Sequence, residues 1–269
     1  MSDTVLVERD GGVAVVTLNR PERLNAIDSE LMQHLPGVLR QLADDHSVGC
    51  VVLTGAGRGF CAGGDLKSRQ AELDAQALLS DEERLLLQMP HVLDAQLKSR
   101  VEASRLLHDM PKPTIAMVNG PCAGAGMSLA GACDLRFAGE SALFTSAFTR
   151  AGLSGDFGGT WFWTQILGTA KARELYFLSE KIAAADALAL GMVNRVWPDA
   201  DLRELTLDVA RSLADGPRWA YSYAKRNLNA AEDSTMDRVL QSEVTTMGLA
   251  TRATRDAGRS PVSVLNKNS

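Results

Sequence analysis

The sequence predicts an α/β fold whose helices gather toward the C-terminus. Three observations carry that expectation. Short apolar, β-branched runs alternate with helical patterns through the first part of the chain, and from Trp161 onward helical spacing dominates. The 269 residues are 45% hydrophobic, enough to bury one full core, as a single domain or as one domain with a small appendage.

Residues 4–9 and 13–18 are rich in Val, Leu and Thr and flank Asp10-Gly11-Gly12, which reads as a hairpin turn. A helix follows. Asp28 or Ser29 is suited to cap it, and Leu31, Leu35, Val38 and Leu42 recur near helical spacing. Pro36 interrupts that pattern and predicts a kink or a late start. Residues 50–53 form a continuous apolar run suited to a buried strand. Residues 68–110 are the least informative, although Val101, Arg105 and Leu106 suggest a helix ending before Pro111. Residues 114–118 predict another buried strand, ended by Asn119-Gly120. Residues 122–132 are almost all small and predict a helix that packs closely or lets a ligand approach its backbone. Residues 135–138 and 143–145 read as further strands, and the chain ends in a polar, Arg-rich tail after Leu249. No internal repeat or low-complexity segment is visible.

Composition excludes several functions. The net charge of −5 offers no broad basic surface, so no nucleic-acid partner is expected. No apolar run reaches the length of a membrane span, and the first residues lack the pattern of a signal peptide. A cytoplasmic chain without a membrane partner is therefore expected. Cys50, Cys61, Cys122 and Cys133 form no C-x-x-C pair and read as buried thiols. His34, His46, His91 and His108 lack the spacing of a helical zinc site, so no metal is expected. Ser222-Tyr223-Ala224-Lys225 fits S-x-x-K without its companion motifs, and Gly152-Leu153-Ser154-Gly155-Asp156 narrowly misses G-x-S-x-G. Trp161, Phe162 and Trp163 suit a core or an interface, and Glu82 and Glu83 a solvated helix start.

Two glycine-rich segments each follow a buried strand. Residues 55–67 match neither a phosphate loop nor a dinucleotide fingerprint, because G-K-[ST] is missing and Phe60 stands where a third glycine belongs. Residues 119–129 turn into the helix of small residues. First-turn N–H groups lack intrahelical acceptors, so two of them converging on one point would stabilise an oxyanion. On spacing alone, tight turns with positive φ are the simpler explanation of both segments.

Motifs shift that balance. Asn19-Arg20-Pro21-Glu22-Arg23-Leu24-Asn25-Ala26, Phe60-Cys61-Ala62-Gly63-Gly64-Asp65-Leu66 and the run from Pro111-Lys112-Pro113 to Gly126 occur in order. Ala132-Cys133-Asp134-Leu135-Arg136 and the A-L-A-L-G-M-V segment at 187–193 follow. Together they resemble the enoyl-CoA hydratase/isomerase (crotonase) superfamily over roughly residues 5–200. The resemblance implies a spiral of ββα units over residues 1–200 and a helical trimerisation region over 201–269. It also implies a homotrimer or homohexamer acting on an acyl-CoA thioester, with coenzyme A as part of the substrate and no separate cofactor. Carried over by position, the oxyanion donors are the N–H groups of Gly64 and Ala125. The coenzyme A strip is Arg23, Leu24, Ala26, Ala62, Asp65 and Leu66. The family's usual C-terminal ending is replaced here by Pro261-Val262-Ser263-Val264.

Hydratases of the family use two glutamates, and the matching positions here are Ser128 and Phe148, neither of which is a carboxylate base. One acid stands nearby: Asp156, within Gly152-Leu153-Ser154-Gly155-Asp156-Phe157-Gly158-Gly159-Thr160-Trp161. Apolar, glycine-rich surroundings of this kind strengthen a carboxylate as a base. The segment resembles the corresponding stretch of ring-epoxide isomerases, and dienoyl-CoA isomerases and chlorobenzoyl-CoA dehalogenases carry aspartate at the same place. Asp156 as a catalytic base implies an isomerase. The alternatives are an atypical hydratase, a dehalogenase with Asp156 as nucleophile, a non-catalytic acyl-CoA or RNA-binding relative, or Asp156 as a helix cap.

Overall fold

The computed structural model describes residues 4–256; the atypical ending falls outside them. β1 (Val5–Asp10) and β2 (Val13–Leu18) form the expected antiparallel hairpin, with Gly11 at φ 55° in its turn. α1 (Ser29–Asp44) begins where Asp28 accepts the Leu31 N–H at 2.9 Å. The late start expected from Pro36 is not found. Leu31, Leu35 and Leu39 are fully buried, each contributing about 1.5–3 kcal/mol, which offsets the roughly 3 kcal/mol cost of an internal proline.

After β3 (Cys50–Gly55), the uninformative stretch folds into α2 (Leu66–Ala77), α3 (Asp81–Leu87) and α4 (Pro90–Asp109). Glu83 and Ser80 form a reciprocal capping box at the start of α3, the solvated helix start expected there. β4 (Thr114–Val118), β5 (Pro121–Ala123), α5 (Ala125–Ala132), β6 (Leu135–Gly139) and β7 (Leu143–Thr145) follow. α6 (Gly159–Leu178) is interrupted at Gly168, where φ 75° and ψ 162° leave the helical region. β8 (Ile182–Ala183), α7 (Ala184–Ala189), β9 (Arg195–Trp197), α8 (Leu202–Asp215), α9 (Arg218–Ala231) and α10 (Met236–Asp256) complete the chain.

Strand register shows the spiral directly. β1-β2-β3-β4-β6-β9 form one sheet, parallel except for the hairpin. β5-β7-β8 form a second, which isolated bridges extend: Cys61 pairs with Cys122, and Ile27 with Gly64. The chain thus visits the first sheet, crosses to the second and returns through a helix, turn after turn. β2 with Ile27, β3 with residues 61–64, β4 with β5 and β6 with β7 are successive turns.

The central sheet is buried on both faces. In β2, Ala14, Val16 and Leu18 pack toward α1, while Val13 and Val15 pack toward Leu202, Leu207 and Ala210 of α8. Trp163 is fully buried, and its indole N–H donates to Met127 O at 3.2 Å, so it is a core residue. At the C-terminal end, α10 packs on α9 and presents Met236, Leu240, Val244 and Met247 as exposed apolar side chains at helical spacing. Among the described residues, no helix is long and apolar enough to cross a membrane.

Candidate active site

Two asparagines, Asn25 buried and Asn119 half-buried, shape the first glycine segment. Asn25 sits in the left-handed region at φ 57°, and its Nδ2 donates to Ala56 O at 2.9 Å and Gly59 O at 2.7 Å. Asn119 Nδ2 donates to Gly55 O at 2.8 Å and Gly57 O at 2.9 Å. Gly55 is obligatory here, since a Cβ would lie 2.2 Å from the carbonyl oxygens of Gly59 and Phe60.

The second segment is stitched to the first along the main chain. Cys61 N–H donates to Pro121 O at 3.2 Å, and Ala123 N–H donates to Cys61 O at 2.9 Å. Backbones then meet without side chains between them: a Cβ on Gly124 would lie 3.6 Å from the Gly63 Cα. Gly64 and Ala125, each one residue further on, line the same cavity of about 360 Å³. Among the described residues neither amide donates to a protein acceptor. Ala125 is the first residue of α5, so helix geometry leaves its N–H unpaired; at Gly64 a Cβ would meet nothing within 4 Å.

Another part of the lining comes from residues between 147 and 157. Phe148 lines the cavity and stacks on Tyr176, with ring centroids 6.1 Å apart and planes within 7°. Asp156 is half-buried and also lines the cavity. Its Oδ1 accepts the Phe157 N–H at 2.8 Å, while its Oδ2 has no protein partner among the described residues. The helix-cap alternative is not found: Gly158 occupies the N-cap of α6, with no side-chain cap bond. A carboxyl bonded to its own neighbour's amide satisfies a loop turn rather than the helix end.

The residues expected to form a coenzyme A strip divide. Ala62, Asp65 and Leu66 line the cavity, whereas Arg23, Leu24 and Ala26 stand outside it. Arg23 is exposed, and Leu24 is tied to the first loop through its carbonyl, which accepts the Ala62 N–H at 2.9 Å. Asp65 has a demanding structural role. Its Oδ1 caps α2 at Lys67 and Ser68, and its Oδ2 lies 3.0 Å from Arg20, which also pairs with Asp28 at 3.1 Å. Burial pushes the Asp65 carboxyl up, but the Ser68 amide and the Arg20 guanidinium outweigh it and hold it below the ordinary carboxylate range.

The sequence gives no sign of the polar rim on α1 and α2. Asp28, Ser29, Arg69 and Glu72 line the cavity, and the Ser29 hydroxyl donates to Glu72. Asp28 and Ser29 read only as helix caps, and nothing in the composition of residues 68–110 marks Arg69 or Glu72. Ser128, by contrast, lies behind the cavity wall, buried beside Tyr176. Lys225 of the S-x-x-K decoy is buried and pairs with Asp134 at 2.8 Å, a structural role. Burial pushes the thiols of Cys50, Cys61 and Cys133 up to about 12, so they are not thiolates near neutrality. Among the described residues, no cluster of His, Cys, Asp and Glu has the makings of a metal site.

Comparison with known proteins bears on this geometry. The family model described as enoyl-CoA hydratase/isomerase matches residues 8–263. The chain is 37% identical to the 1,2-epoxyphenylacetyl-CoA isomerase of Escherichia coli K12, over 94% of this chain and 92% of that one. It is 30% identical to 4-chlorobenzoyl coenzyme A dehalogenase-2 of an Arthrobacter species, over 89% and 83%. A crystal structure of an enoyl-CoA hydratase from Polaromonas sp. JS666 superposes with a TM-score of 0.82 at 29% identity, covering 96% and 98% of the two chains. These three proteins carry the names of three different reactions.

Proposed function

The chain belongs to the enoyl-CoA hydratase/isomerase family, and from that premise we propose that it is an acyl-CoA isomerase with one carboxylate base, Asp156. The carrying observation is the state of the acids around the cavity. Asp28 and Asp65 are engaged by Arg20 and by helix caps, and Glu72 by Ser29. Asp156 and Glu72 each keep one oxygen without a protein partner among the described residues, but Glu72 is exposed on α2 and takes the Ser29 hydroxyl, whereas Asp156 is half-buried and no side chain engages its carboxylate. The hydratase positions hold Ser128 and Phe148.

The thioester oxygen lies between the N–H groups of Gly64 and Ala125. Asp156 removes an α- or γ-proton, charge moves onto that oxygen as an enolate or dienolate, and the same carboxylic acid returns the proton to another carbon. Each preorganised donor supplies about 100- to 1,000-fold in rate. The base supplies about 100- to 10,000-fold. Both are needed, because an α-proton is too weakly acidic for a carboxylate unless the developing oxyanion is stabilised.

Ala62, Asp65 and Leu66 at the cavity, with Arg23, Leu24 and Ala26 adjoining, form the surface for the coenzyme A portion. The exposed apolar side chains of α10 support self-association as a homotrimer or homohexamer. We place the enzyme in the cytoplasm, with no cofactor beyond the coenzyme A of its substrate.

The test is incubation with a panel of enoyl- and aryl-acetyl-CoA thioesters in deuterated water. Label should enter the α- or γ-carbon and a double bond should move, with no net addition of water. Asp156→Asn should bind the same thioesters and leave them unlabelled; labelling at the wild-type rate would refute the proposal. A nucleophilic role for Asp156, as in a dehalogenase, would leave an ester-linked acyl-enzyme visible by mass, and the proton-transfer reading requires that none form.

A further inference from the structure

The carbonyl of Gly124 and the N–H of Ala125 belong to one peptide group. Whatever donates to that carbonyl therefore acts on the amide that faces the cavity. Two donors converge on the oxygen, both from Ser128: its N–H at 3.1 Å and its hydroxyl at 3.3 Å. The first is the ordinary bond of a helical turn. The second is not required by the helix, which would form equally well with alanine at this position.

The hydroxyl's surroundings are specific. Ser128 is only 1% exposed, and its oxygen stands beside the phenol of Tyr176 under the start of α6. A Cβ on Gly159 would lie 2.1 Å from the Ser128 oxygen and 2.5 Å from the Tyr176 oxygen, so only glycine leaves room for both hydroxyls. Burial pushes the Tyr176 phenol up to about 12, although Ser128 opposes the shift, so near neutrality the phenol keeps its hydrogen.

We propose that Ser128 is a positioning residue that polarises the Gly124–Ala125 peptide and strengthens the Ala125 N–H as an oxyanion donor, with Tyr176 as the hydroxyl behind it. The proposal rests on the reading of Gly64 and Ala125 as an oxyanion hole. Hydrogen bonds in a chain strengthen one another by about 10–30% per bond in a poorly screened interior. An oxyanion donor supplies about 100- to 1,000-fold, so a gain of that size amounts to roughly two- to eightfold in rate. The side chain at the position of a hydratase glutamate would thus serve the same transition state through the backbone.

Phenylacetyl-CoA labelled with carbon-13 at the thioester carbonyl is the probe, since one ligand reports both carbonyl polarisation and α-proton exchange. On the wild-type protein its bound carbonyl stretch should lie below that of the free thioester, and its α-protons should exchange with deuterated water. In Ser128→Ala the downshift should shrink and the exchange rate fall about two- to eightfold, while the dissociation constant stays within twofold. Ser128→Thr should restore both, and Tyr176→Phe should move both by less in the same direction. A purely structural hydroxyl would change the melting temperature and leave the carbonyl stretch where it was. A full downshift and a wild-type exchange rate in Ser128→Ala would overturn the relay. A wild-type complex with no downshift would overturn the oxyanion hole and the relay together. Absent exchange with a full wild-type downshift would count against Asp156, and the carbonyl shift in Ser128→Ala would still decide the relay.

Discussion

The two segments that carry Gly64 and Ala125 are joined to each other by main-chain bonds, with Asn25 and Asn119 bracing the first of them, whereas the wall that carries Asp156 is fastened to α6 by side-chain hydroxyls. Between the two segments, Cys61 and Cys122 pair as strands do, and glycines bring the backbones together. Behind the wall of Asp156, a cluster of hydroxyls fastens the loop to the end of α6. Ser146 Oγ lies 2.7 Å from Ser179 Oγ and donates to Leu175 O at 3.0 Å; Thr149 Oγ1 lies 2.8 Å from Ser179 Oγ and donates to Tyr176 O at 2.7 Å. Ala147 and Phe157, both on the cavity, sit at φ 57° and 55°, conformations that cost about 1 kcal/mol or more unless their surroundings enforce them. An amide can be placed by backbone alone, so one wall can serve any thioester. The reacting acid needs a side chain, and its wall is where reactions within one fold can diverge.

Cutting each wall at its functional group should give opposite signatures. Asp156→Asn removes the proposed base and nothing structural beyond one turn bond, so isotope exchange should fall by about 1,000-fold. Its melting temperature and thioester affinity should stay near wild type, as scanning calorimetry and ligand titration would show. Gly126→Ala acts on the other wall through the backbone. Its Cβ would lie 2.3 Å from Cys61 O and 2.6 Å from Cys61 Cβ, so the strand leading to Gly64 must shift. Exchange should fall by about 100-fold, the loss of one aligned donor, and stability should fall with it. Gly126→Ala with a normal melting curve and normal exchange would erase the distinction between the walls.

The same distinction decides how much of the site is legible in the amino-acid sequence. Glycines forced by contacts of 2.2–2.3 Å, at Gly55, Gly120 and Gly126, leave an ordered pattern along the chain, and that pattern marks both amide-bearing loops. Buried β-branched runs mark β2, β3 and β4 for the same reason: a strand covered on both faces has little choice of residue. Asp156 is marked only by the context of its motif. Arg69 and Glu72 leave no mark, because an exposed helix tolerates almost any polar residue and α2 buries none of its side chains. The break at Gly168 and the uninterrupted course of α1 through Pro36 are set by tertiary packing that local propensity does not record. The spiral leaves no sequence repeat, since each turn keeps the path of the chain but closes with a different helix.

The hydroxyl cluster allows a finer comparison. Ser179 is fully buried and touches both Ser146 and Thr149, so Ser179→Ala loosens the acid-bearing wall without reaching the cavity. Losing hydrogen bonds of about 0.5–1.5 kcal/mol each should lower the melting temperature by about 2–6 °C. Exchange should slow several-fold, while carbonyl polarisation on the amide wall stays at its wild-type value. A reduced carbonyl downshift in Ser179→Ala would mean that the two walls move as one body.

The smallest expected effect lies away from both walls, at Glu232 beyond the end of α9. Its Oε2 is 3.1 Å from His108 Nε2 yet makes no hydrogen bond among the described residues. Burial first, then the charges of Asp233, Asp134 and Asp109, push its carboxyl up to about 7 from an ordinary 4.5. Burial also pulls the neighbouring His108 below its ordinary value, so the histidine is a poor source of compensating charge. The folded chain therefore binds this proton more tightly than the unfolded chain does. Stability from this group is intact below about 4.5 and is lost as pH rises through about 7. Glu232→Gln carries no charge to bury. It should match the wild type near pH 5 and melt up to a few degrees higher near pH 8, with isotope exchange unchanged because the residue lies outside the cavity. Parallel melting curves for the two proteins across pH 5–8 would show that Glu232 is relieved by a partner or by solvent, and that the pH dependence of stability must be sought among the paired acids of the cavity rim.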